Sequence, residues 1–289
     1  MSKKQKGIFC ILLSAFCFAV MNMFVKMAGD LPPIQKSFFR NLIAMLFAFF
    51  VIVKEKEGFH FKKKNLPMLF LRSTLGTVGI LCNFYAIDHL VLSDASMLNK
   101  LSPFFVIIFS YLFLKEKVTA PQAISVIVAF IGSLFIIKPA FSNVNFFAAM
   151  IGMFGGLSAG AAYTCVRYLG IRGEKKSFII FFFSGFSCLV TLPFLLFDYH
   201  PMTGAQLLCL LGAGLAAAGG QFGITYAYTY APAKEISVYD YSIVIFSAIL
   251  GFIFFQQIPD FWSFIGYLII CGIAVWSFFY KEKKPVSQE

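Results

Sequence analysis

The chain has 289 residues, 60% of them hydrophobic and only 13% charged, with a net charge of +11. A soluble domain carries about 25% charged residues, so there is too little polar surface here to cover a water-soluble globule, and the solvent is mostly lipid. The surplus cations fall in short clusters between apolar runs, not on one face or among interleaved aromatics, which excludes nucleic acid as a partner.

In chain order, Lys3, Lys4 and Lys6 lead into an apolar run that starts at Gly7. The run is long for a signal peptide and no Ala-x-Ala site follows it, so it reads as a retained first span. A membrane helix needs about 20 apolar residues. Ten runs qualify, near 7–28, 34–53, 67–88, 91–114, 119–137, 146–168, 177–197, 204–230, 233–255 and 260–280. None alternates apolar with polar residues, which excludes barrel strands. The expected fold class is therefore all-α, a polytopic membrane protein of ten transmembrane helices without a soluble domain.

Lysine and arginine concentrate in alternate connections: Lys54 to Lys64, Lys115 and Lys117, Arg172 to Lys176, Lys234, and Lys281 to Lys284. The opposite connections, with Asp30, Lys36, Asp88, Asp94, Lys138, Asp198 and Asp260, are poor in cations. That bias predicts a multi-pass protein of the cell membrane with both termini cytoplasmic. Sliding 93–132 onto 233–272 matches Ser102 with Ser242, Glu116-Lys117 with Gln256-Gln257, and Gly132 with Gly272; Lys36-Ser37-Phe38 falls on Lys176-Ser177-Phe178. The expected units are 1–140 and 141–289, five helices each. An odd number of spans per unit inverts the second, as in transporters whose sites lie at the repeat interface.

Two charges stand inside these spans. Lys100, in Ala95 to Pro103, lies about nine residues into span four, roughly 14 Å deep at 1.5 Å per residue. Asp240 reaches similar depth in span nine. A charge at the bilayer centre costs roughly 3 kcal/mol or more, so such residues are functional candidates. The alternative is a static salt bridge pinning the two halves. Pro103 lacks a backbone donor and frees the carbonyl of Asn99, so span four is expected to kink there. Arg40 in span two and Arg72 in span three either snorkel along their aliphatic stems or face inward. If inward, Asp240 alone cannot balance them, and an electropositive cavity would suit a carboxylate, which arginine holds in two bonds. Asn22, Tyr163, Gln221 and Tyr239 complete the expected substrate-binding set, Tyr239 because it adjoins Asp240; Asn83, Tyr226 and Tyr241 are further polar candidates. Small residues at Gly155 to Gly160 and Gly212 to Gly223 place spans six and eight inside the bundle.

The seven cysteines form no Cys-x-x-Cys pair, and the three histidines fall in connections, so no metal site is expected. There is no phosphate-binding Gly-x-x-x-x-Gly-Lys-Ser/Thr and no nucleophile elbow, so neither a cofactor nor an enzymatic activity is expected.

Phe39-Arg40, the segment Asp94 to Pro103 running into Tyr111 to Lys117, Gly132 to Lys138-Pro139, and the Gly266 to Gly272 spacing together resemble the drug/metabolite transporter superfamily, in its EamA-type ten-helix branch. Leu71-Arg72 after Phe39-Arg40 is similar to the branch of S-adenosylmethionine transporters and animal organic-anion relatives. The resemblance implies two inverted five-helix repeats around a central cavity, with alternating access. It also implies a glutamate at the end of span nine, where this chain has Gln256. The expected function is a secondary or facilitative carrier of a small polar metabolite, with a coupling proton or a counter-substrate as a further partner and a homodimer left open. The alternative is a non-transporting membrane-embedded interaction or assembly protein. A channel is disfavoured because no filter sequence is present.

Overall fold

The computed structural model of the chain describes residues 3–55, 58–59, 61–114, 119–137, 145–230 and 237–279, and every regular element among them is helical. The helices are α1 (Lys3–Met27), α2 (Pro33–Lys54), α3 (Leu66–His89), α4 (Leu92–Asn99), α5 (Ser102–Leu114), α6 (Ala120–Ile137), α7 (Phe146–Ile171), α8 (Lys176–Phe197), α9 (Gly204–Tyr230), α10 (Ser242–Phe255) and α11 (Phe261–Phe279). Two short 3₁₀ turns, Lys63–Asn65 and Ser237–Tyr241, precede α3 and α10. Among the described residues, eight segments are long and apolar enough to cross a membrane, and Tyr239–Phe255 and Phe261–Trp276 are shorter apolar helices. This is a polytopic helical membrane protein. We call the end of the bundle where α1 begins the near end, and the other the far end.

Local chemistry explains where helices start and stop. Pro33 occupies the first turn of α2 and Pro67 that of α3, positions where a backbone donor would have no helical partner anyway. α10 ends at Gln256, in the left-handed region at φ 53°. Its amide bonds to Phe252 O (3.0 Å) and that of Gln257 reaches back to Gly251 O (3.1 Å). Such paired C-terminal bonds offset the roughly 1–2 kcal/mol that a side chain pays in this conformation. The Gln257 side chain is then free to accept the amide of Leu92 (3.1 Å), capping the start of α4.

The packing reveals the two-fold relation of the halves. α1 packs on α9, and its counterpart α7 packs on α3; α5 packs on α7 as α10 packs on α1; α2 packs on α9 as α8 packs on α3. α2 pairs with α8 and α6 with α11, each a helix against its own counterpart. Exchanging the halves therefore returns the main interfaces, as an inverted repeat requires. The register is not uniform, however. α2 (33–54) and α8 (176–197) are offset by 143 residues, so Lys36, in the first turn of α2, does not coincide structurally with Lys176, the first residue of α8.

Several expectations are corrected. Span four is two helices: Lys100 and Leu101 form a turn between α4 and α5, so the break precedes Pro103 by two residues. The described part of span nine begins with the 3₁₀ turn, and Asp240 lies in that turn rather than within a continuous helix. Residues 231–236, 115–118 and 138–144 lie outside the described residues, so Lys234, Glu116, Lys117 and Lys138 cannot be placed. Lys36 is not in a connection. It is wholly buried and paired with Asp88 at 2.6 Å, which offsets the cost of its burial. His89 ends α3 instead of lying in a loop.

Candidate substrate-binding cavity

The interruption of span four is set by its neighbour. Gly156 and Gly160 stand one turn apart on α7, facing the break. A Cβ on Gly156 would lie 2.6 Å from Leu98 O, and one on Gly160 2.8 Å from Ser102 O. The α7 backbone thus rests directly against the carbonyls on either side of Lys100 and Leu101, an approach that only glycine permits. Proline explains why the helix does not continue; the glycine pair explains where it breaks.

Each of the two charges suits the helix end at which it stands. Lys100 caps the C-terminal end of α4, where free carbonyls favour a cation, and Asp240 precedes the N-terminal end of α10, where free amides favour an anion. The Lys100 ammonium donates to Asp240 Oδ2, with both side chains 12% exposed. The other carboxylate oxygen, Oδ1, is buried without a partner among the described residues. A second link sits beside them. Asn22 of α1 donates to Ser96 of α4 (3.3 Å), and Ser96 bonds Ser247 of α10 (2.8 Å), which ties three spans together.

Next to this pair lies a cavity of about 110 Å³ between the halves, lined by residues of α1, α2, α3, α7, α8, α9 and α10 and of the span-four break. Asn22, Arg40, Arg72, Asn99, Lys100, Tyr163 and Gln221 all line it, as does Asn83. Both arginines turn inward and neither snorkels: Arg40 is 3% exposed and Arg72 7%. Arg40 donates to Asn41 (2.6 Å), whose amide is held by Ser37 and Ser187 of α8 (3.0 Å). Arg72 lies flat on the ring of Phe183, 3.8 Å from its centroid, a stacking that planar guanidinium favours. Gly76 makes room for it, since a Cβ there would meet Arg72 Nη1 at 2.5 Å and Phe183 at 2.8 Å. Even so, Arg40 Nε and both Nε and Nη1 of Arg72 are buried without an acceptor among the described residues. Three cations (Arg40, Arg72, Lys100) face one carboxylate (Asp240), a surplus of two positive charges. Buried unsatisfied donors are costly, and a group bringing anionic oxygens would satisfy them.

Asp240 and Tyr239 do not line this cavity. Asp240 reaches it through Lys100. Tyr239, expected there as the neighbour of Asp240, points elsewhere and is 37% exposed. In a 3₁₀ turn successive side chains diverge by about 120°, and Tyr239, with Tyr241, lines a separate apolar groove of about 850 Å³ between α10 and α11. Tyr226 is half exposed on α9. Nothing in the sequence marks Phe183, Asn41, Ser187 or Ser247 as site residues. Nor does anything mark Tyr267, whose hydroxyl donates to Asp94 at 2.5 Å and ties α11 to α4.

An inverted repeat with an interrupted span four and a polar cavity between the halves is the architecture of a membrane transporter. The chain belongs to the EamA-like transporter family, whose model matches residues 5–138 and again 146–279. It is 32% identical over 269 residues to the pseudopaline exporter of Pseudomonas aeruginosa, covering 92% of this chain and 93% of that protein. It is also 29% identical over 283 residues to human solute carrier family 35 member G1, covering 93% of this chain and 78% of that protein. In shape it is similar to a protein of known crystal structure (TM-score 0.66, 94% of this chain and 96% of that one), which at 13% identity concerns the fold alone.

Proposed function

We propose that the chain is a secondary or facilitative carrier that moves a small, carboxylate-bearing metabolite across the cell membrane by alternating access, with both termini cytoplasmic. An organic anion, an amino acid or an S-adenosylmethionine-like zwitterion fits this class. The carrying observation is the pair of buried guanidinium groups, Arg40 and Arg72, with unpartnered donors in one cavity at the repeat interface. An exporter among the relatives supports transport as the activity.

The geometry suggests how the parts act. A carboxylate enters between Arg40 and Arg72, which present forked donors, and competes with Asp240 for Lys100. Asp240 is then left to accept a proton or to return to Lys100 on release, which gives proton coupling or exchange a physical seat. The cavity is smaller than the roughly 300–1,000 Å³ of drug-sized ligand pockets, so loading requires the halves to part.

The test is uptake by proteoliposomes of radiolabelled di- and tricarboxylates, amino acids and S-adenosylmethionine, with and without an internal counter-substrate. Saturable uptake of a carboxylate, lost in Arg40→Gln and Arg72→Gln, is the expected result. Transport restricted to solutes without a carboxylate, or undiminished transport in Arg72→Glu, overturns the reading.

A further inference from the structure

The near end of the bundle carries a second built feature, away from the cavity. The α2–α3 connection and the α7–α8 connection, one from each repeat, are fastened together there. Glu174 is 7% exposed, and its Oε1 accepts the amide of Lys62 (2.9 Å) and the side chain of Asn65 (2.7 Å). The Lys62 ammonium in turn donates to Arg172 O (2.6 Å). Gly173, at φ +79°, turns the chain so that Glu174 points inward. Below the clamp, Phe61 stacks on Phe178 of α8 with ring centroids 5.5 Å apart.

The clamp has an electrostatic consequence. It gathers Lys62, Lys63 and Lys64 beside Arg172 and Lys176, all five exposed. Glu174, the acid at the centre of this group, is buried and supplies one negative charge against five positive ones. Holding that surplus of like charge together is unfavourable, and an anionic group at the surface would offset it. Phe59 and Phe61, 45% and 40% exposed, border the lysines. Apolar rings beside a cation cluster at the end of membrane helices match the boundary between acyl chains and headgroups.

We propose that this clamped patch is a binding site for the headgroup of an anionic phospholipid of the surrounding bilayer. The lysines and Arg172 hold the phosphate, and Phe59 and Phe61 lie against the upper acyl chain. The site is independent of the transported substrate. It differs from a mere positive-inside signal because it depends on the clamp, not on net charge alone.

The experiment is native mass spectrometry of the purified full chain, released from mixed micelles holding equal amounts of phosphatidylglycerol and phosphatidylcholine. The wild type is expected to retain phosphatidylglycerol preferentially. Lys63→Ser/Lys64→Ser/Lys176→Ser is expected to lower that preference about tenfold or more, given the strength of attraction per basic residue near an anionic surface. Glu174 separates geometry from charge. Glu174→Gln keeps an acceptor for Lys62 and Asn65 and should keep the preference, whereas Glu174→Ala makes the patch equally more positive yet should lose it. Circular dichroism and gel filtration confirm that each variant is folded. An unchanged preference in the triple serine variant, or retention in Glu174→Ala equal to that in Glu174→Gln, overturns the proposal. Displacement of the lipid by submillimolar inorganic pyrophosphate overturns it too, in favour of a soluble anion.

Discussion

Asp240→Asn is the most informative single substitution in this molecule. It leaves Lys100 without its carboxylate partner in the interior of the bundle. Breaking a buried ion pair from one side costs roughly 3–5 kcal/mol. Both side chains are 12% exposed and Lys100 faces the cavity, so partial hydration puts the expected loss at the lower end, about 3 kcal/mol. Lys100→Leu strands Asp240 instead and should cost about as much by the same argument. The double variant Lys100→Leu/Asp240→Leu removes both desolvation penalties and should regain most of the lost stability, because well-packed apolar replacements of a buried pair are close to neutral. Reversible unfolding in mixed micelles, followed by the fluorescence of Trp262 and Trp276 (the two tryptophans of the chain), measures all four corners of the cycle. Transport by the same proteins in liposomes supplies the second readout. A static bridge and a substrate-exchanging pair predict the same stabilities and opposite transport. If the pair takes part in transport, the leucine pair is stable and inactive. A double-leucine variant that transports like the wild type refutes the reasoning.

Other substitutions probe single parts of the cavity. Arg72→Lys keeps the charge but loses the stack on Phe183 and the forked donors, and should lower kcat/KM about tenfold for the proposed carboxylate substrate, since lysine does not replace arginine at stacked or bidentate sites; an unchanged value in a liposome assay counts against a contact with substrate. Phe183→Leu removes only the ring beneath Arg72, and a loss of about 1 kcal/mol in apparent affinity is expected, read as a rise in KM with little change in kcat. Gly156→Ala places a methyl group 2.6 Å from Leu98 O and should destabilise by about 1–3 kcal/mol, the usual cost of overpacking. The unfolding assay checks it, with Gly170→Ala, where nothing lies within 4 Å, as the neutral control.

What could be read from the sequence follows from how strongly each residue violates its surroundings. Lys100, Asp240, Arg40 and Arg72 stand out because a charge inside an apolar run has few explanations, and the structure brings three of them to one cavity and the fourth to its edge. Gly156 and Gly160 signal close helix approach, but not that the surface they accept is a broken helix; Pro103 signals a kink at Asn99, but not that the span divides there into two helices. Lys36, Asp88 and Glu174 sit near helix ends, where charge is ordinary, and their partners are 52 residues away for Lys36 with Asp88 and 109 for Glu174 with Asn65. Tyr239 adjoins Asp240 in sequence, but successive side chains in any helical turn diverge by about 100–120°, so adjacency does not carry it to the cavity. Phe183 is one of 39 phenylalanines, and only its contact with Arg72 distinguishes it.

The inverted repeat also makes a prediction about movement, because corresponding latches need not be chemically alike. At the far end, Gln35 of α2 exchanges two hydrogen bonds with the backbone of His200, in the α8–α9 connection: Nε2 to His200 O (2.9 Å) and Oε1 from His200 N (3.0 Å). Exchanging the halves carries α2 onto α8 and the α8–α9 connection onto the α2–α3 connection. The near-end counterpart is therefore the contact of Phe178 with Phe61, reinforced by Glu174. The far latch is two hydrogen bonds of one side chain, whereas the near one combines a ring stack with the hydrogen bonds of Glu174 and Lys62, so the two are chemically unlike and are expected to differ in strength. Gln35→Leu removes the far latch, leaves the near one intact and leaves the backbone of His200 without its partner. Hydrogen–deuterium exchange should then quicken in peptides spanning 33–37 and 198–203, while those spanning 172–178 keep their protection. Equal quickening at both ends would mean that the substitution loosens the whole bundle, and no change at either end would mean that the far latch does not hold the halves together. Either result removes the premise that the ends open independently, on which the proposed alternating access depends.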